Sequence, residues 1–219
     1  IQSICQGDKN GSKQNRNVYD TKYKRKIMIA IIDYNAGNIS SVQNALNRLG
    51  YESIVTRNKE EILKSDRVIL PGVGEAGTAM NYLIEFELDG FIKGLKQPFL
   101  GICLGMQLMC NSSEEGDTKC LGIFNSKVKR FPPKEKVPHM GWNNINALKG
   151  GLANEIETNS DVYFVHSYYA ELCNETSSQC DYILPFSASL EKDNFYGTQF
   201  HPEKSADIGE QILKNFLEL

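Results

Sequence analysis

Residues 98–109, PFLGICLGMQLM, constrain the fold more than any other stretch. An apolar run long enough for one buried strand enters Gly101-x-Cys103-x-Gly105 and leaves as a helical pattern. Glycines two residues either side of a reactive side chain permit a sharp strand-to-helix turn, which lifts that side chain above the carboxyl end of a parallel sheet. An elbow of this kind needs the remainder of an α/β sheet around it. Short apolar runs at residues 28–33, 51–55, 67–70 and 98–103 alternate with helical patterns at 39–49, 60–63 and 75–86, as expected for right-handed βα units and a parallel sheet buried on both faces. Beyond the helix that begins at Leu104 the pattern shifts to strand-like runs at 121–124, 143–145, 162–167, 183–187 and 195–199, then a final amphipathic helix at 207–217. The expected architecture is one α/β domain, a mostly parallel central sheet flanked by helices and carrying an antiparallel strand extension.

Residues 1–27 stand apart. They are polar, lack periodicity and hold seven Lys/Arg against two Asp, whereas residues 28–219 hold the other 17 against 25 acids. The first segment is read as a disordered basic extension and residues 28–219 as the folded domain. An acidic folded body argues against nucleic acid as a partner, and no apolar run approaches the roughly 18 residues of a membrane span. Six irregularly spaced cysteines without a C-x-x-C pair fit a reducing cytoplasm better than a disulfide scaffold. With three histidines far apart, no metal site and no cofactor are expected.

The chemistry is read from Cys103 and His201-Pro202-Glu203. At a helix N-terminus the dipole and free N–H groups favour a thiolate, and the N–H of Leu104 is placed to meet an acyl oxyanion. An imidazole and a carboxylate two positions apart, leaving one loop near the chain's end, give a base and its orienter. Together they predict a Cys103–His201–Glu203 triad. In Pro71-Gly72-Val73-Gly74 the glycines permit unusual backbone torsions, so Val73 or Gly74 is a second candidate oxyanion donor.

These motifs resemble those of class I glutamine amidotransferases. The resemblance narrows to the glutaminase subunits of imidazole glycerol phosphate synthases through IIDYNAGNI at 31–39, PGVGE at 71–75, SEEG at 113–116, PHMGWN at 138–143, YFVHSY at 163–168 and HPEKS at 201–205. It covers residues 28–219 and none of 1–27. It implies Cys103 as nucleophile, His201 as general base and then acid, and Glu203 as orienter. Gln107 and Glu115 are implied to hold glutamine, with Glu115 facing its α-ammonium and His166, Ser167 and Tyr168 lining the pocket. Without the family, Glu115 reads as part of an exposed turn and His166 as a core histidine. The resemblance further implies a heterodimer with a (β/α)8 cyclase, expected as a separate chain because 219 residues leave no room for a barrel of about 250. Asn38, Trp142 and Lys204 are expected at that docking face. The glutaminase of pyridoxal phosphate synthase and a non-catalytic docking or glutamine-sensing subunit stand as alternatives; the PGVG and PHMGWN segments speak against the first, the intact triad residues against the second.

Overall fold

The computed structural model describes residues 27–34 and 38–219. The basic extension expected at 1–27 therefore lies outside the described residues, apart from Ile27, which packs on the core.

The βα alternation appears as β1 (Ile29–Ile32), α1 (Ile39–Arg48), β2 (Ser53–Thr56), α2 (Lys59–Lys64), β3 (Arg67–Leu70), α3 (Ala76–Glu85), α4 (Leu88–Gly94), β4 (Phe99–Ile102) and α5 (Leu104–Leu108). Short strands follow, β5 (Ser112–Ser113), β6 (Thr118–Lys119) and β7 (Lys127–Arg130), then the hairpin of β8 (His139–Ile145) and β9 (Ser160–His166), and β10 (Tyr168–Ala170). The chain ends with β11 (Thr176–Tyr182), β12 (Leu184–Lys192), β13 (Phe195–Thr198) and α6 (Ala206–Glu218). The main sheet has the order β11-β12-β13-β4-β3-β1-β2, parallel from β13 to β2, with β12 and β11 as the antiparallel extension.

Side chains alternate across a strand, so each buried strand feeds both faces. Ala30, Ile32, Val68, Leu70 and Phe99 pack with residues of α3 and α4, while Ile29, Ile31, Ile69, Leu100 and Ile102 pack with residues of α1 and α6. The parallel core is thus covered on both sides, as near-continuous apolar strands require. Two helices begin with side-chain caps, Asn58 accepting from the N–H groups of Glu60 and Glu61, and Glu75 from those of Gly77 and Thr78.

Residues 121–124, expected to be a strand, form an irregular turn instead. Their backbone is occupied elsewhere: the N–H of Leu121 bonds the Leu108 carbonyl, and those of Ile123 and Phe124 bond the Met109 carbonyl, closing the open end of α5. The apolar side chains mark burial here, with no strand partner.

Candidate active site

β4 leads directly into Cys103, whose φ of 53° and ψ of −108° are sterically costly for a residue with a Cβ. The surroundings hold it there. Its N–H bonds the Thr198 carbonyl of β13 at 2.7 Å, and the flanking glycines let neighbouring backbone close in. A Cβ on Gly105 would drive into the Leu70 carbonyl oxygen, and one on Gly101 would meet Met109 Sδ at 2.6 Å. The glycine pair is therefore required by packing as much as by torsion.

β13 runs parallel to β4 with Thr198 opposite Ile102, so the chain leaving β13 emerges at the same carboxyl end of the sheet as the elbow. His201 follows, 1% exposed, its N–H bonded to the Tyr163 carbonyl and its own carbonyl accepting from Ser205 Oγ. Nδ1 meets Glu203 Oε1 at 2.8 Å, and Asn38 Nδ2 donates to that same oxygen at 2.6 Å. Nε2 is buried without an aligned hydrogen-bond partner among the described residues. Burial works against the imidazolium, but the nearby Cys103 thiol and the Glu203 carboxylate outweigh it and raise the His201 pKa. The thiol contributes here by proximity, since the hydrogen bond to it is not closed.

A cavity of about 350 Å³ opens on Cys103. It is lined by every residue expected to handle an acyl substrate: Val73, Gly74 and Leu104 as oxyanion candidates, and Gln107, Glu115, His166, Ser167 and Tyr168 as substrate candidates. Glu115 Oε2 accepts the N–H of Ala76 at the start of α3, and its pKa is raised because burial, with help from Glu75, exceeds that hydrogen bond. Gln107 is 4% exposed and donates to the Tyr168 carbonyl and to Gln199 Oε1, both at 2.8 Å. Its amide nitrogen is spent within the protein, on the wall of the cavity.

Of the three residues expected at a docking face, Trp142 is 55% exposed and Lys204 is exposed. Asn38 is half-buried and its side chain is committed to Glu203. Met140, 60% exposed, shares Trp142's strand.

Tyr34 and His139 carried too little signal to be read as functional. Tyr34, buried in the 31–39 segment, donates its hydroxyl to the Pro71 carbonyl and so anchors the loop carrying Val73 and Gly74. Burial, with Cys103 nearby, raises its pKa and keeps it a donor. His139 Nδ1 and His166 Nε2 lie 3.0 Å apart, and His166 Nδ1 lies 2.7 Å from the Tyr168 carbonyl. A carbonyl only accepts, so His166 carries its proton on Nδ1, leaves Nε2 as acceptor, and requires a proton on His139 Nδ1. Burial lowers His139 to about 4 and His166 to about 3, so both rings are neutral near pH 7.

Residues 30–219 match the family model for class-I glutamine amidotransferases. The imidazole glycerol phosphate synthase subunit HisH of Bacteroides fragilis is 60% identical over 87% of this chain and 99% of its own length. The protein of the same designation from Pectobacterium atrosepticum is 47% identical over 87% and 99%. The crystal structure of a glutamine amidotransferase from Thermotoga maritima shares the fold with a TM-score of 0.59 at 17% identity, covering 88% of this chain and 81% of that one. With the elbow, the buried His–Glu pair and identity of this order over nearly the whole length of those relatives, the protein belongs to the class-I glutamine amidotransferase family, in the branch of imidazole glycerol phosphate synthase HisH subunits.

Proposed function

We propose that this chain hydrolyses glutamine at Cys103 and hands the ammonia to a separate cyclase chain, which uses it to make imidazole glycerol phosphate and an aminoimidazole ribotide in histidine biosynthesis. The observation that carries the reading is the cavity at Cys103, in which nucleophile, oxyanion candidates and a carboxylate for an α-ammonium face one space. The Cys103 thiol passes its proton to His201 Nε2 as the sulfur attacks the side-chain amide carbon, forming an S–C bond and moving the carbonyl electron pair onto oxygen. Backbone N–H groups of Leu104 and of Val73 or Gly74 meet that charge. The C–N bond breaks as His201 gives a proton to nitrogen, and ammonia leaves. His201 then takes a proton from water, whose oxygen attacks the thioester; the C–S bond breaks, the sulfur recovers that proton from His201, and glutamate departs. Glu203, on Nδ1, keeps Nε2 pointed at the reaction throughout. Glu115 faces the α-ammonium.

Ammonia is mostly protonated in neutral water and is then no nucleophile, so delivery within a complex is needed. The exposed Trp142 and Lys204, with Asn38 near the triad, support docking of the cyclase beside Cys103. The test is synthesis by the reconstituted two-chain complex. Cys103→Ala should abolish the glutamine-dependent reaction and leave the ammonia-dependent one nearly intact. Equal loss with both nitrogen sources would defeat the division of labour.

A further inference from the structure

We propose that Gln199 is a further catalytic residue, an amide N–H donor aimed at the Cys103 sulfur. The inference rests on the functional reading above. Gln199 is fully buried, on the residue after β13, and its Nε2 stands 3.6 Å from Cys103 Sγ, a normal N–H···S separation given sulfur's size. The assignment turns on which end of the amide faces sulfur, and the surrounding hydrogen bonds fix it. Gln107 Nε2 touches the Tyr168 carbonyl and Gln199 Oε1. The first is a pure acceptor, so the Gln107 nitrogen is the group facing both, and its second N–H requires an oxygen on Gln199. The Gln199 nitrogen is left facing Cys103. The Tyr168 carbonyl is itself held by a second donor, His166 Nδ1, whose Nε2 in turn accepts from His139 Nδ1. The line of donors therefore runs one way from His139 through His166 to the Tyr168 carbonyl, and from Gln107 through Gln199 to the sulfur.

A donor in this place acts on both halves of the reaction. Before attack it stabilises the sulfur's negative charge; when the thioester collapses it receives the charge back as the C–S bond breaks. The Val165 carbonyl, 3.9 Å from the sulfur, is an acceptor and offers the thiolate nothing. Gln199 is thus a side-chain donor to sulfur distinct from the His201 imidazole, and separate from the backbone groups that serve the oxyanion.

Two readouts test this on the full chain, each with a melting curve to show folding. The first is alkylation of Cys103 by iodoacetamide at pH 7, followed at that residue by mass spectrometry, which needs no glutamine. The second is glutamine turnover in the complex with the cyclase. Gln199→Met keeps the volume and removes the donor; alkylation and kcat should each fall about tenfold, the scale of one hydrogen bond to a charged group, with KM within about twofold. Gln199→Glu keeps an acceptor for Gln107 but sets a carboxyl at the sulfur, and should slow alkylation further. Alkylation unchanged in both folded variants would overturn the assignment, as would a loss confined to KM. An unaltered complex that turns over no glutamine would bring down the functional reading, while the alkylation result would still decide the contact with sulfur.

Discussion

His201 and the His139–His166 pair are all but inaccessible to water, yet their surroundings drive them to opposite charge states. At the triad, burial is overcome by a thiol on one side and a carboxylate on the other. On the cavity wall, His166 has a neutral ring and a carbonyl for partners, and burial wins. The contrast shows that burial sets the stakes while the nearest charge sets the sign. On the proposed mechanism it also separates the roles: one imidazole holds a proton to give to a leaving amine, and two stay neutral to hold backbone in place.

The strongest test of that separation is kinetic. His201→Ala should lower kcat for glutamine hydrolysis by about 10³–10⁴, within the range for a lost general acid–base. His139→Asn, which can still donate towards His166, should stay within about tenfold. A His139 variant as slow as His201→Ala would break the comparison. Next in size is Glu203→Gln, expected near 10² because the orienting group matters less than the base itself. If it proved worse than His201→Ala in steady-state assays, Glu203 would leave the triad.

The pH dependence of stability should carry both signs. His201 has a folded-state pKa raised from about 6.5 to about 10, so its contribution is complete below pH 6.5 and drains away as pH rises towards 10. His139 and His166 are depressed to about 4 and 3, so their cost is absent above pH 6.5 and grows as pH falls towards those values. Each limb should slope by at most about 1.4 kcal/mol per pH unit for each proton involved. Urea melts across pH should show His201→Asn flattening the alkaline limb and His139→Asn the acid limb; identical effects on one limb would refute the opposite assignments. The smallest effect concerns Lys204, three residues past His201 and exposed. Lys204→Glu should weaken cyclase binding severalfold by calorimetry without lowering the melting temperature, and unchanged binding and activity would return it to an ordinary solvated charge.

The parallel half of the fold was legible because its strands are short apolar runs with helices between them, and both the elbow and His201-Pro202-Glu203 lie in such contexts. The other half hid its strands in polar sequence. β11 reads TSSQCDY, yet Thr176, Ser177 and Ser178 are buried, their hydroxyls satisfied by Ser187 and Ser189 of β12. Hydropathy cannot see a polar residue whose partner arrives from another strand. α4 escapes the pattern for a similar reason, being a short helix with two glycines whose Leu88 and Ile92 alone are buried. Asn38 was expected at a docking face by resemblance, whereas its bond to Glu203 joins residues far apart in sequence. Gln199 offered only its place two residues before His201.

The pairing of β4 with β13 bears on how the molecule comes into being. Cys103 leaves the ribosome about a hundred residues ahead of His201, and β13 must be inserted between β4 and β12 before any base stands near the sulfur. Until then the half-made chain owns a cysteine with no partner to work it. On the proposed mechanism the nucleophile is armed by the last strand to be synthesised, so a truncated product released before residue 201 should be chemically idle towards glutamine.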